Sequence, residues 1–200
     1  KDLIQKFKSN GFKVSNLPLL EINKSDYNEI KIYNYNAIIF TSSNAIRFLD
    51  LKNINKNISC FCVGSHTEKT ARSNGFQNVF SADGNVRNLK ELVQQNLSVK
   101  DNKVLYISGD VVSYPLDKDL ISEGYNVERL INYTVKHNEN LDLSFLESLK
   151  KDMPNLVYVY SENSAKSFLK IIKKYELVDY WMNTNLMCIG EKTSSVLNVI

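Results

Sequence analysis

The sequence predicts an α/β protein: two parallel-sheet α/β domains joined by a two-stranded linker. Three observations carry that expectation. Five times along the chain a short apolar run breaks at a small residue and then turns amphipathic, as IIFTSSNAIRFL from Ile38, CFCVGSHTEKTA from Cys60, VLYISGDVVSYPL from Val104, LVYVYSENSAKSFL from Leu156 and LMCIGEKTSSVL from Leu186. Each stretch reads as a buried strand, a Ser/Gly/Thr turn and the first turn of a helix. Strands that alternate with helices imply parallel pairing through right-handed crossovers. Finally, 200 residues exceed what one typical domain needs, and two extended polar segments interrupt the alternation.

Taken in order, the chain opens with Leu3, Ile4 and Phe7 on one helical face and Gly11 as the stop. A strand preceding that helix is expected outside these residues. FKVSNLPLLEI, with Pro18 near its middle, is extended, and polar NKSDYNE then changes the register. Next come a strand at 37–40, a helix at 44–51, a strand at 59–63, a helix at 68–74 and a short strand at Val79. A helix follows Gly84 and Asn85, then a strand at 104–107, a helix to Glu123, and Gly124 before YNVERLI. INYTVKHNE from Ile131 reads as a separate linker strand. The remainder supplies a helix at 145–150, a strand at 157–160, a helix at 164–174, and a strand and helix from Leu186. These last elements need partners to fill a sheet, and the N-terminal helix belongs with them. The expected domains are therefore 1–22 plus 136–200 as a discontinuous unit and 24–131 as an insertion, with linker strands near 18–23 and 132–136.

Composition narrows the function classes. Hydrophobic content of 43% with 24% charged residues suits a soluble globular chain with a packed core. Lys+Arg 25 against Asp+Glu 22 leaves +3, and the basic residues are scattered, so no nucleic-acid stripe is present. No run approaches the roughly 18 apolar residues of a membrane span, and no secretory h-region is seen. The three cysteines are odd in number, and Cys60 and Cys62 share one strand face, where they cannot easily bridge. A reducing, cytoplasmic setting is expected. His66 and His137 are isolated from any carboxylate cluster, so no metal site is predicted. No G-x-G-x-x-G follows a strand and no G-x-x-x-x-G-K-[ST] occurs, which argues against a nucleotide enzyme. What the turns do offer is a set of helix starts with free backbone N–H groups and a positive dipole end. In open α/β sheets ligands collect at that edge, so an anionic small molecule is the expected ligand.

The order of motifs resembles uroporphyrinogen-III synthase over nearly the whole chain. The resemblance rests on PLLEI at Pro18, IIFTSSNAIRFL at Ile38, CVGSHTEKTARSNGF at Cys62, ADGNVRNLKELV at Ala82, the SG turn at Ser108, VERLINYTV at Val127, VYSENSAKSF at Val159 and CIGEKTSSVL at Cys188. It implies a cleft between the two domains that holds hydroxymethylbilane, an eight-carboxylate linear tetrapyrrole, and an enzyme that acts without metal or organic cofactor; separately, a monomer is expected. The family removes the terminal hydroxyl, attacks the substituted carbon of ring D, passes through a spiro intermediate and closes with ring D inverted. Such chemistry suits helix N-termini, which bind carboxylates without a buried unpaired charge. The task is largely to hold ring D for attack at a hindered carbon and to keep water from the reactive azafulvene.

Carried over residue by residue, the resemblance gives Tyr133, in LINYTV, the place of the family's linker tyrosine. A phenol is protonated at neutral pH and can donate a hydrogen bond to the departing hydroxyl. Thr67 matches a position whose hydroxyl contacts substrate. The other substrate-binding candidates are Thr41 and Ser42, Gly64 and Ser65, Gly84 and Asn85, Ser108 and Gly109, Ser161 and Ser164, and Gly190 and Thr193. Each has a plainer reading as a helix cap or turn residue, and capping and ligand binding are compatible. Where the family often has proline after the turn, this chain has Ser43, Ser65, Glu162 and Glu191. Glutamate at a helix start competes with a substrate carboxylate for the same positive potential, so the discontinuous domain is expected to bind more weakly. The alternative reading is a two-domain binding protein for an anionic small molecule, without catalysis; the absence of a visible signal peptide and the reducing-type cysteines weigh against it.

Overall fold

The structure is a computed structural model that describes residues 2–28, 34–52, 54–100 and 103–198; Lys1 of the expected first helix lies outside them. The chain divides into two compact units, Ile22–Val135 and Lys1–Glu21 with Lys136–Ile200. Each has its own apolar core.

The Ile22–Val135 unit is built on one sheet of β2 (Ala37–Phe40), β3 (Ser59–Val63), β4 (Val79–Ala82), β5 (Lys103–Gly109) and β6 (Asn126–His137), with β1 (Leu20–Lys24), in the order β1-β6-β5-β2-β3-β4; the start of β1 and the end of β6 run past the bounds of the unit. From β6 to β4 every pair is parallel. At the β1 edge Ser25 N–H donates to Asn132 O and Asn138 N–H donates to Leu19 O. Residue numbers rise on one strand as they fall on the other, the mark of an antiparallel pair. β2 is AIIF with every residue fully buried, because side chains alternate and both faces of this sheet are covered. On one face Ile38, Phe40, Cys60, Cys62, Leu105 and Ile107 pack against Ala45 and Ile46 of α2 (Ser43–Arg47) and Ala71 of α3 (Gly64–Ser73). On the other, Ala37, Ile39, Phe61, Val104 and Tyr106 meet Leu89 and Val93 of α4 (Val86–Asn96) and Leu116 and Leu120 of α5 (Leu116–Ser122). A fully buried side chain of this size contributes about 1.5–3 kcal/mol, so these two layers hold the sheet that positions the turns.

The second unit contains α1 (Asp2–Ser9), α6 (Leu143–Lys151), α7 (Glu162–Lys174), α8 (Val178–Trp181) and α9 (Glu191–Leu197) around a parallel pair, β7 (Leu156–Val159) and β8 (Asn185–Cys188). Ala165, Phe168, Ile171 and Ile172 of α7 form the core with Val159, Trp181 and Leu197. Phe168 and Trp181 meet edge to face at 5.0 Å. The opposite face of the pair carries Leu156, Met187 and, just beyond the strands, Tyr160 and Ile189, all exposed.

Several expected boundaries move. The helix expected at 68–74 begins at Gly64, whose φ of +76° turns the chain directly into α3. The helix expected at 44–51 ends at Arg47. The helix expected at 164–174 starts at Glu162, capped by Ser161. YNVERLI and INYTVKHNE, expected as two pieces, form the single strand β6, since the apolar residues of the first run straight into the second without a breaker. α8 was not anticipated, and among the described residues β7 has β8 as its one strand neighbour. Among the described residues no helix is long and apolar enough to cross a membrane.

Candidate substrate site at the strand ends

Parallel pairing of β2 to β6 puts the C-terminal ends of these strands along one edge. The turns that follow β2, β3 and β4, together with the last two residues of β5, hold the substrate-binding candidates of this unit, and Tyr133 lies in β6. After β2, Ser42 accepts from Asn44 N–H at 3.2 Å and caps α2, while Thr41 Oγ1 shares a 3.1 Å hydrogen bond with Tyr106 OH. Burial raises the Tyr106 phenol above its ordinary value. After β3, Gly64 and Ser65 start α3 without a side-chain cap, which leaves its first N–H groups open; Ser65 is exposed and Thr67 buried. After β4, Gly84 has φ +94° and Asn85 closes a capping box with Asn88.

The end of β5 is the most specific part of the edge. The β5–β6 ladder keeps one register from Lys103↔Asn126 to Ser108↔Ile131 and then jumps to Gly109↔Tyr133. Asn132 is thus an extra residue on β6, a bulge of the kind that re-aims a side chain beside a functional site. Its amide Nδ2 donates to Ala45 O at 2.7 Å, and the residue is fully buried. Ala45 O needs that donor because Leu49 N–H, its normal helical partner, bonds Ile46 O instead. Tyr133 follows at 7% exposure, its ring across Gly109 and 6.2 Å from that of Phe48. The Tyr133 hydroxyl has no hydrogen-bond partner among the described residues. Ser108 is buried, donates to Gly109 O at 3.0 Å and accepts from Arg129 Nε at 2.8 Å. Its hydroxyl is therefore committed inside the protein.

Sequence reasoning missed three side chains here. Arg129 Nη2 also donates to Gly109 O at 2.8 Å and Asp110 O at 3.2 Å. Asp110 Oδ1 accepts from Val111 N–H at 2.9 Å and Val135 N–H at 3.0 Å, and Asp110 N–H donates to Tyr133 O at 3.0 Å. Asn132 is the third. The one signal was Arg129 four residues ahead of Tyr133 in VERLINY, and nothing local announces the bulge. Tyr114, just beyond this turn, donates to Asp119.

The other candidates lie in the second unit. Ser161 caps α7, accepting from Ser164 N–H at 3.0 Å and bonding Ser164 Oγ at 2.7 Å. Glu162, in the first turn of α7, pairs with Lys166 at 2.6 Å. Gly190 precedes α9 in extended conformation, and Thr193 is buried in its first turn. Thr41, Gly64, Gly84 and Ser108 thus share one sheet edge, whereas Ser161 and Gly190 follow β7 and β8.

Fold and site define an α/β protein of two units whose strand-end turns present helix starts and backbone N–H groups suited to an anion. The model of the family "Uroporphyrinogen-III synthase HemD" matches residues 1–199, and the chain belongs to that family. Its function is that of a uroporphyrinogen-III synthase, a cyclising lyase of haem biosynthesis, as the motif order implied; a binding protein without catalysis is not favoured. Among solved structures, uroporphyrinogen-III synthetase from Helicobacter pylori is similar at TM-score 0.68 and 24% identity, covering 92% of this chain and 81% of that one. A mutant uroporphyrinogen III synthase from the extremely thermophilic bacterium Thermus thermophilus is similar at TM-score 0.59 and 14% identity, covering 100% of this chain and 84% of that one. These likenesses show the fold. No curated protein matches the sequence.

Proposed function

We propose that the protein closes hydroxymethylbilane to uroporphyrinogen III and water, with Tyr133 as the group that assists departure of the terminal hydroxyl. The carrying observation is Tyr133 itself: a nearly buried phenol, set by a bulge at the strand-end edge, whose hydroxyl is not spent on the protein. The phenol donates a hydrogen bond to the leaving oxygen as the C–O bond breaks, and that oxygen departs as water with the proton balanced by the one the adjoining pyrrole N–H gives up on forming the azafulvene. The substituted carbon of ring D then attacks the azafulvene methylene to give the spiro intermediate; its old bond to the neighbouring methylene breaks, that methylene bonds the other α-carbon of ring D, and loss of the proton from that carbon closes the inverted ring. Thr41, Ser42, Gly64, Ser65, Thr67, Gly84, Asn85 and Gly109 belong to the substrate-binding edge of one unit, with Ser161, Ser164, Gly190 and Thr193 in the other. Open N–H groups at the start of α3 suit a substrate carboxylate, because the dipole favours negative charge there. Ser108 stays in the set by the motif match alone, since its hydroxyl is bonded to Gly109 O and Arg129.

The reading requires neither metal nor organic cofactor. It places the protein in the cytoplasm as a monomer with a small-molecule substrate, without nucleic-acid or membrane partners, and treats the two compact units as the two domains of the enzyme.

The test is Tyr133→Phe, assayed with freshly generated hydroxymethylbilane and chromatographic separation of uroporphyrin isomers I and III. General-acid assistance contributes about 10²–10⁴-fold, so isomer III formation slows and spontaneous isomer I gains. Unchanged isomer III turnover in a folded variant removes Tyr133 from the mechanism.

A further inference from the structure

We infer that Arg129 and Asp110 are positioning residues that clamp the β6 bulge and so set the orientation of the Tyr133 phenol; this rests on the proposed role of Tyr133. A bulge frees one residue from the ladder and weakens pairing locally, so a side chain presented by it needs support from outside the strand pair. Arg129 supplies that support on the β5 side. Its guanidinium spans Ser108 Oγ, Gly109 O and Asp110 O, one contact to each residue of the turn, and its charged group lies 5.9 Å from the Tyr106 ring. The planar fork fixes all three acceptors at once, which a lysine ammonium on a flexible stem does not.

Asp110 supplies support on the β6 side. Its N–H holds Tyr133 O, and its carboxylate takes Val135 N–H, so one residue grips the backbone on both sides of Thr134. The carboxylate stands in for a strand carbonyl where β5 has ended. Between the two lies Gly109, over which the Tyr133 ring is seated. Movement of this turn therefore moves the floor beneath the ring, and small misplacements of a reacting group cost rate rather than affinity.

The experiment measures kcat, KM and the isomer III fraction for Arg129→Lys and Arg129→Gln, each alone and combined with Tyr133→Phe, with thermal melts to confirm folding. Arg129→Lys is expected to lower kcat about tenfold to a hundredfold and the isomer III fraction with it, leaving KM little changed. In the Tyr133→Phe background the same substitution has little further effect, because residues that act through one another are not additive. Equal losses in both backgrounds, or a rise in KM alone, overturn the proposal and make Arg129 a direct carboxylate ligand or a folding residue. If Tyr133→Phe alone leaves kcat intact, the role of Tyr133 fails, and the clamp with it; a kcat loss in Tyr133→Phe without one in Arg129→Lys defeats the clamp alone. Should the Arg129 variants not fold, Asp110 decides: Asp110→Asn keeps the Oδ1 acceptor and retains activity, whereas Asp110→Ala loses it in the same non-additive way. Retained kcat in folded Asp110→Ala refutes the clamp.

Discussion

Gly109 is glycine because Tyr133 leaves no room for anything larger. A Cβ added there would lie 2.5 Å from Tyr133 Cε2 and 2.8 Å from Cζ, closer than non-bonded carbons approach. The ring must move, and its retreat is limited by Phe48 beside it and by the burial of the whole residue. Gly109→Ala is expected to cost about 1–3 kcal/mol of stability, as overpacking does, and to lower isomer III formation at temperatures where the variant is fully folded. Wild-type turnover in that folded variant would show that the seating of the ring on Gly109 is irrelevant to the chemistry. Gly64 makes the contrasting case. Nothing stands within 4 Å of its added Cβ, and φ there is +76°, so glycine is needed for the left-handed backbone rather than for space. The sequence marked both as small residues at a turn. Only the folded surroundings separate a glycine kept for conformation from one kept for a neighbouring ring.

Among the elements, α2 and β6 depend on each other. α2 is short, and its Ala45 carbonyl is satisfied by the Asn132 amide, which is itself fully buried in the bulge. Removing a partner from a buried acceptor costs about 1–3 kcal/mol, so Asn132→Ala is expected to destabilise by that amount in urea or guanidinium melts. A midpoint matching the wild type would mean that water replaces the amide. This pairing also explains which elements could be read in advance. AIIF, SCFCV and KVLYISG are apolar runs followed by small residues, and their strand character is local. The end of α2 is not local: its carbonyl partner comes from 87 residues away, so the periodicity of NAIRFLDL suggested a helix longer than the one that forms. The start of α3 was misplaced because GSHT looks like a polar turn, while a positive-φ glycine lets the helix begin with no cap at all. Tyr133 could be named as a candidate from the motif around it. Arg129 and Asp110 could not, because their hydrogen bonds gather at a register jump that pattern alone does not reveal.

At the scale of the whole molecule, the two units should differ in resistance to opening. In the Ile22–Val135 unit the central strands are covered on both faces, with Ile38, Ile39, Phe40, Phe61, Leu105 and Ile107 fully buried. Opening any of these strands exposes two packed layers at once. In the other unit β7 and β8 bury one face, while Leu156, Met187 and the adjoining Tyr160 and Ile189 meet solvent. The same strand length there removes less apolar surface from water, and stabilisation follows that surface. Local opening free energies run from near zero up to the global value according to such burial. Native-state hydrogen exchange should therefore find the slowest amides in β2, β3 and β5, with β7 and β8 exchanging through openings of lower free energy. As denaturant is added at sub-melting concentrations, protection in β7 and β8 should disappear first while β2 stays closed. A single opening free energy shared by both sets would mean that the chain unfolds as one cooperative body. The exposed face of the β7–β8 pair would then carry no energetic weakness, and the loss of β7 protection would track global unfolding.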